Sequence, residues 1–361
     1  MRITEIVGQA LDLLIFFIGV NKVKLALDAM GGDNAPAEII KGALDAVKKF
    51  SCEIVLVGKE VIITEILRDT PNWQNFPIKI KNADEVIEMG EHPADAVRNK
   101  KNSSIVVATQ MVKNGECDAV LSAGSTGAAV AAAQLILKRV NGIGRPTIAT
   151  PIPTPKGVTL LLDSGANVDS KPEHLMQSGI MGSLYAEHVL GKKKPKVGLL
   201  NIGEEETKGN EQAKEAFQLF KNMTTINFAG NAEGRDIPTG EFDVIVCDGF
   251  VGNVVLKFAE GLATTIFKLI KDAISEGSVG AKLGAVLLMP TLQNLAKKLD
   301  ASEYGGAPLL GVNGYCIISH GSSDAKAICN AIKLANEYVN RNVLEHTKTA
   351  LEQELKAGAK G

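Results

Sequence analysis

Short runs of β-branched and other apolar residues recur along this chain, with stretches of helical periodicity between them. That alternation predicts crossover units building a mostly parallel sheet. The runs predict strands at 24–27, 53–57, 78–80, 119–122, 159–163, 196–200, 226–229, 244–247 and 315–318. The expected architecture is α/β, a mostly parallel Rossmann-like sheet flanked by helices. Further on the period becomes purely helical. Leu262, Thr265, Ile266, Leu269, Ile270 and Ala273 fall on one face, with Lys268, Lys271 and Asp272 off it. The segments 283–290 and 295–299 add a second apolar surface with lysines beside it. These predict a helical excursion over about residues 255–300, its apolar face serving core or dimer packing or docking to a membrane surface.

Glycine and small polar residues cluster where predicted strands give way to helices. Five junctions share this form: Gly31-Gly-Asp-Asn34, Gly124-Ser-Thr-Gly127, Gly203-Glu-Glu-Glu-Thr-Lys-Gly-Asn210, Asp248-Gly-Phe-Val-Gly-Asn253 and His320-Gly-Ser-Ser-Asp324. Any one of them is explained by turn chemistry. Together they suggest more, because ligands of open parallel sheets bind beyond the carboxyl ends of the strands, where helix N-termini present unpaired N–H groups to anions. Each loop also carries Ser, Thr, Asn, Lys or His able to donate hydrogen bonds.

Composition narrows the partners. At 361 residues the chain is long enough for two lobes sharing a cleft, and 45% apolar with 22% charged residues is ordinary for a soluble globular protein. A net charge of −2, with no Lys/Arg-rich block, gives nucleic acid no basic field to bind. The five cysteines, Cys52, Cys117, Cys247, Cys316 and Cys329, are scattered without metal or redox spacing and read as reduced structural thiols, which implies a cytoplasmic setting. The apolar stretch 10–20 is shorter than the about 20 residues a bilayer span needs. Glu5 and Asp12 also disagree with a signal peptide. Residues 1–22 are expected to be an N-terminal extension, 23–338 the α/β domain, and 339–361 a C-terminal helix with a frayed end.

Several chemistries lack their marks. The chain has neither a G-x-x-x-x-G-K-[ST] loop nor a dinucleotide G-x-G-x-x-G fingerprint after a strand. The histidines His92, His174, His188, His320 and His346 have no metal-ligand spacing, so no metal is expected. A G-x-S-x-G nucleophile elbow is also missing. What remains is a site that binds an anion beside a group needing electrostatic help.

The motifs that fit such a site are Asp28-Ala-Met-Gly-Gly-Asp-Asn-Ala-Pro36, Leu121-Ser-Ala-Gly-Ser-Thr-Gly-Ala128, Leu162-Asp-Ser-Gly-Ala-Asn-Val-Asp169 with Lys171-Pro-Glu-His174, the run from Val197 to Glu211, Gly230-Asn-Ala-Glu-Gly-Arg-Asp236, Val246-Cys-Asp-Gly-Phe-Val-Gly-Asn253, and Glu303-Tyr-Gly-Gly-Ala-Pro-Leu-Leu-Gly311 with Ser319-His-Gly-Ser-Ser-Asp324. In this order, over about residues 23–338, the chain resembles the acyl-carrier-protein:phosphate acyltransferases of bacterial phospholipid synthesis. The first loop of that family more often reads Asp-His where this chain has Asp33-Asn34, so no histidine base is carried over there. The resemblance implies a phosphotransacetylase/isocitrate dehydrogenase-like fold. It also implies transfer of a long-chain fatty acyl group from acyl-carrier protein to inorganic phosphate, without a cofactor, supplying acyl phosphate to a downstream glycerol-phosphate acyltransferase. Members of the family are homodimers that touch the inner face of the membrane peripherally.

The resemblance also suggests roles. Lys208 matches the lysine of related phosphotransacetylases and would orient phosphate or neutralise an oxyanion; the alternative is a solvated surface lysine. Asp248 would orient a lysine or accept the phosphate proton, or it simply caps a helix. His320 would donate to developing charge or protonate the departing thiolate, with Ser322 and Ser323 beside it at the polar start of a helix over 324–335; capping is again the rival. Ser125, Thr126, Gly127, Gly209 and Asn210 are candidate phosphate donors, Asp33 and Asn34 substrate contacts, and Asn253 an amide donor to the carbonyl or a cap. Arg98 would meet phosphate or the acidic carrier protein, or it simply belongs to a basic surface turn. Three rival functions remain at this point: a phosphotransacetylase-type acyl-coenzyme A:phosphate transferase, a catalytically silent module that binds carrier protein, and a metal- and NAD-dependent dehydrogenase of similar fold.

Overall fold

The computed structural model of the chain describes residues 22–299 and 303–358. The apolar stretch 10–20, the expected extension up to residue 21, and the chain end at 359–361 lie outside the described residues.

From the N-terminal side the elements are β1 Val23–Asp28, α1 Ala37–Lys49, β2 Cys52–Gly58, α2 Glu60–Arg68, β3 Ile78–Asn82, α3 Pro93–Asn99, α4 Ser104–Lys113, β4 Ala119–Ser122 and α5 Thr126–Ala132, which runs on into a π turn. There follow β5 Thr147–Ile148, β6 Thr150–Thr154, β7 Gly157–Leu162, α6 Pro172–His188, β8 Lys196–Asn201, α7 Glu211–Lys221, β9 Asn227–Glu233 and β10 Val244–Val246. The chain continues with α8 Gly249–Glu276, α9 Val279–Leu299, β11 Ala307–Leu310, β12 Tyr315–Ile318, α10 Ala325–Asn340 and α11 Val343–Gly358. Residue 338 thus lies inside α10.

Two sheets carry the architecture. The first has the order β3-β2-β1-β4-β12-β11-β5, parallel from β3 to β12 and antiparallel beyond. The second runs β6-β7-β10-β8-β9, parallel except where β6 pairs with β7. Parallel strands covered by helices on both faces need apolar residues on both sides, and Ala119, Val120 and Leu121 of β4 are accordingly buried without alternation. Fully burying a side chain such as Leu56 contributes about 1.5–3 kcal/mol. One apolar cluster runs from Leu25, Leu27 and Ile317 in the first sheet to Leu160, Leu162 and Val244 in the second, through Ile180, Met181 and Tyr185 of α6. The ring of Tyr185 meets Tyr338 of α10 edge-on at 5.6 Å.

The sheets are joined at Ala149, a fully buried residue between β5 and β6. Its N–H donates to Pro308 O at 3.1 Å, and Ser164 N–H donates to Ile148 O at 3.1 Å. The carboxyl edges of the two sheets are therefore tied together by main-chain bonds.

All nine expected strands are present, β4 and β12 with the expected bounds and the others with shifted ends. The run at 159–163 stops at Leu162, and that at 244–247 stops at Val246. The run at 226–229 extends instead over Asn227–Glu233. β5, β6 and β11 were not expected. β6 reads Thr-Pro-Ile-Pro-Thr, and proline removes ladder donors; it is accommodated because β6 is an edge strand. All five cysteines are free and buried.

The helical excursion departs from one expectation. Gly249 and Gly252 are the buried residues of α8 and Val255 packs partly buried against the second-sheet core, but the stripe Leu262, Thr265, Ile266, Leu269, Ile270 and Ala273 is exposed and does not form core. Phe258 is 68% exposed and Leu287 of α9 83% exposed. Among the described residues α8 is one helix long and apolar enough to cross a membrane by length and composition.

Candidate active site

Three loops of the first sheet meet at its carboxyl edge. β1 ends in Asp28, whose buried carboxylate accepts from Ser122 Oγ at 2.7 Å and from Met30 N–H at 3.2 Å. Burial pushes this carboxyl above its ordinary value, against the hydrogen bonds from Ser104 and Ser122, which pull it down. Gly31 passes so close to Gly124 that a Cβ would stand 2.9 Å from the Gly124 backbone, and glycine is required for that approach. Asp33 N–H donates to Gly321 O at 2.8 Å, and Asn34 Nδ2 donates to Ser322 O at 3.1 Å. Ser319 N–H donates to Ser122 O at 2.8 Å. The loops after β1, β4 and β12 are thereby laced into one surface. Beneath it, Asp28, Ser104, Ser122 and Ser125 line a small enclosed hollow of about 10 Å³, room for about one water.

The second sheet repeats the device. Asp163, immediately after β7, accepts from the N–H groups of Ile148, Gly165, Ala166 and Asn167 and from Asn167 Nδ2, at 2.8 to 3.2 Å. Burial raises its carboxyl above the ordinary value while these donors oppose the rise. Gly252 of α8 lies on the Asp163 carbonyl with no space for a side chain, and the Asn253 side chain stands over Gly165.

The loop after β8 is organised by amides. Asn201 Nδ2 donates to Lys208 O at 3.1 Å, and Asn231 Nδ2 donates to Glu205 O at 2.9 Å. Gly209 packs on the Asn201 amide, and Asn210 caps α7 by accepting from Ala213 N–H at 2.9 Å. The aliphatic stem of Lys208 lies against Gly203. Its ammonium is exposed and has no hydrogen-bond or ion-pair partner among the described residues. Two of the glutamates sharing its loop are engaged elsewhere: Glu206 with Lys221 at 2.9 Å and Glu204 with Arg235 at 3.9 Å. A fixed backbone with an uncommitted cation can receive an anion.

Helix α8 joins the two edges. Asp248 caps its start by accepting from Val251 N–H at 2.9 Å. Nine residues on, Lys257 Nζ lies 3.2 Å from His320 Nε2, in the loop after β12. His320 Nδ1 in turn lies 2.8 Å from Ser322 Oγ, and Lys257 Nζ donates to Glu260 Oε2 at 2.8 Å.

Asp33, Asn34, Ser125, Thr126, Gly127, His320, Ser322 and Ser323 thus fall at the edge of the first sheet, and Lys208, Gly209, Asn210, Asp248 and Asn253 at that of the second. Arg98 is exposed on α3, whose Ala96 and Val97 are buried, and is paired with Asp95 at 3.6 Å. Among the described residues no hydrogen bond or ion pair joins it to the others. The helix starts decide three capping alternatives. Asp248 does cap a helix, Asn253 does not, and α10 is capped by Asp324 rather than by His320, Ser322 or Ser323. The helix after them runs to Asn340, beyond the expected 324–335. Ser125 caps α5 through Ala128 N–H at 3.3 Å.

Sequence reasoning left Asp28, Ser122, Asp163 and Lys257 off the site. An acid directly after an apolar run was a readable signal for Asp28 and Asp163. Nothing local marks Lys257 as a site residue, because His320, which it meets, is 63 positions away. Among the described residues no group of three or more His, Cys, Asp or Glu is placed to hold a metal.

The geometry can be set beside known proteins. The family model described as "fatty acid synthesis protein" matches residues 23–346. The phosphate acyltransferase of Desulfitobacterium hafniense (strain DSM 10664 / DCB-2) is 56% identical over 331 residues, covering 91% of this chain and 98% of the relative. That of Pelotomaculum thermopropionicum is 55% identical over 341 residues, covering 94% and 98%. Among solved structures, a phosphotransacetylase from Streptococcus pyogenes superimposes with a TM-score of 0.62 at 17% identity, over 94% of this chain and 99% of that one. The EutD phosphotransacetylase from Staphylococcus aureus gives 0.58 at 16% identity, over 92% and 98%. At such identities the structures speak for the fold alone.

Proposed function

Since the chain belongs to the fatty acid synthesis protein family, with phosphate acyltransferases as its relatives, we propose that it transfers a long-chain fatty acyl group from acyl-carrier protein to inorganic phosphate, forming an acyl phosphate. The observation that supports this reading is the uncommitted Lys208 ammonium in an amide-braced loop at a strand edge, with α8 leading from the same sheet to His320.

The reaction is balanced without an outside reagent. An oxygen of hydrogen phosphate attacks the thioester carbonyl carbon, the carbon–sulfur bond breaks, and the proton given up by phosphate is the one the departing thiolate needs. The protein's task is to hold phosphate in line with the carbonyl, stabilise the oxyanion and let that proton pass. In this reading Lys208, with the N–H groups around Gly209 and Asn210, holds phosphate. Ser125, Thr126 and Gly127 at the start of α5 provide a second set of donors, and Asn253 faces the carbonyl. His320, with Ser322 and Ser323 beside it, serves the thiolate through the Ser322 hydroxyl, which takes a hydrogen bond from the ring and keeps its own proton free to donate. Asp248 acts as the cap that fixes α8, and so as a positioning group. Asp33 and Asn34 form a wall, the amide of Asn34 being engaged by the carbonyls of Ser322 and Ser323. Arg98 is a candidate contact for the carrier protein.

We propose further that the exposed apolar faces of α8 and α9 serve contact with a second copy of the chain and with the inner face of the cytoplasmic membrane, where a glycerol-phosphate acyltransferase would consume the product.

Palmitoyl carrier protein, phosphate and hydroxylamine mixed with the enzyme should give palmitoyl hydroxamate. Its formation only from a short-chain acyl-coenzyme A would replace this reading with the phosphotransacetylase one.

A further inference from the structure

The His320 ring sits between two competing sets of donors. On one side of its ring, Nε2 faces Lys257 Nζ at 3.2 Å. On the other, Nδ1 faces the Ser322 hydroxyl at 2.8 Å and the Ser322 N–H at 3.2 Å. A neutral imidazole has one donor nitrogen and one acceptor nitrogen, whereas a lysine ammonium has three donors and no acceptor. The two sides therefore demand opposite tautomers. If Lys257 donates, Nε2 must be bare and Nδ1–H must donate to Ser322 Oγ. If the Ser322 N–H donates, Nδ1 must be bare and the proton moves to Nε2, facing a cation with which it cannot bond.

We propose that Lys257 is the positioning residue that decides this competition, fixing His320 as the Nδ1–H tautomer with its Nε2 lone pair turned to the ammonium. A hydrogen bond from a charged donor is about twice as strong as one from a neutral donor, so Lys257 outweighs the Ser322 N–H. The ammonium is itself held: Glu260, one turn further along α8, accepts from it at 2.8 Å. The result is a continuous chain, Glu260–Lys257–His320–Ser322, running from α8 into the loop after β12.

The arrangement has a consequence for the chemistry. Asp248 anchors α8 at the second sheet, and Lys257 carries that anchorage to a ring held by the first. The tautomer of His320 is therefore set by an element belonging to the opposite sheet, and the ring is oriented only while the two edges are in register. This inference rests on the reading of His320 as a group of the active site. Which nitrogen carries its proton is a separate and separately measurable quantity.

The test uses the full chain labelled with ¹⁵N-histidine, the His320 ring signals being assigned by their loss in His320→Gln. Long-range ¹H–¹⁵N correlation distinguishes a protonated Nδ1 from a protonated Nε2. In the unsubstituted protein Nδ1 should carry the proton. In Lys257→Met the proton should move to Nε2, and in Lys257→Arg, which keeps a cationic donor, it should stay on Nδ1. Lys257 is exposed, so neither substitution should disturb folding. In parallel, kcat should fall about tenfold in Lys257→Met, with KM for phosphate within about twofold, and recover in part in Lys257→Arg. A His320 ring already protonated on Nε2 in the unsubstituted protein, or one whose tautomer ignores Lys257→Met, overturns the inference. A tautomer that follows Lys257 while kcat stays constant upholds it and instead removes His320 from the proposed reaction.

Discussion

The Ser122 hydroxyl donates to Asp28 Oδ2 at 2.7 Å, tying the end of β4 to the end of β1 inside the protein. The bond fixes the floor on which the glycine-rich loops lie. It also leaves a carboxyl in a place where ionisation is costly.

That cost has a sign that can be measured. Burial raises the Asp28 carboxyl above 3.8, so between that value and its raised one the folded chain binds more protons than the unfolded chain. The contribution of Asp28 to stability is therefore fully present below about pH 3.8 and is lost as pH rises through the raised value. Asp28→Asn removes this dependence and keeps the shape. Its melting temperature relative to the unsubstituted protein should increase between about pH 4 and pH 7. A difference constant over that range would show that Asp28 is not proton-linked.

The start of α8 is held by lack of space. A side chain at Gly252 would enter the carbonyl oxygen of Asp163, so Gly252→Ala should destabilise by about 1–3 kcal/mol. Activity should fall by more than the unfolded fraction explains, because Asn253 and Lys257 move with the helix. Denaturant titration alongside initial rates separates the two effects.

At the far side of the second sheet His188, in the last turn of α6, stacks on His346 of α11 with ring centroids 3.9 Å apart. Burial first, and the neighbouring His346 second, lower the His188 pKa below 6.5. The folded chain then binds fewer protons than the unfolded one. The stability this provides is present above pH 6.5 and lost as pH falls through the lowered value. Melting temperature should drop on acidification from about pH 7.5 to 5.5, and His188→Phe should flatten that slope.

Exposed Leu287 and Leu288 on α9 supply the test of the membrane proposal. Replacing both with Glu should release the protein from anionic liposomes in flotation while leaving its sedimentation coefficient unchanged. Undiminished flotation would place the contact elsewhere.

Much of the scaffold was legible because parallel strands buried on both faces must be apolar throughout, and the runs at β4 and β12 are bounded by glycine or polar residues. The β6 strand was hidden by Pro151 and Pro153, which spoil the usual composition and are tolerated only because no ladder continues beyond the edge. The candidate site divides in the same way. Lys208 and His320 stand in junctions whose composition announces them, whereas Lys257 lies on a helix whose pattern is dominated by apolar residues such as Phe258 and Leu262. Local sequence could not say whether Asp248 is a proton acceptor or a cap, since both uses want an acid at the end of a strand. The hydrogen bond from Val251 N–H identifies the cap.

Holding phosphate for attack on an acyl thioester is the role proposed for Lys208. It is tested most directly by the phosphate dependence of acyl phosphate formation from palmitoyl carrier protein in Lys208→Ala. In Lys208→Ala kcat/KM for phosphate should fall by about a hundredfold or more, with melting temperature unchanged because the side chain is exposed and has no partner among the described residues. A Lys208→Ala enzyme with the phosphate dependence of the unsubstituted protein would contradict it.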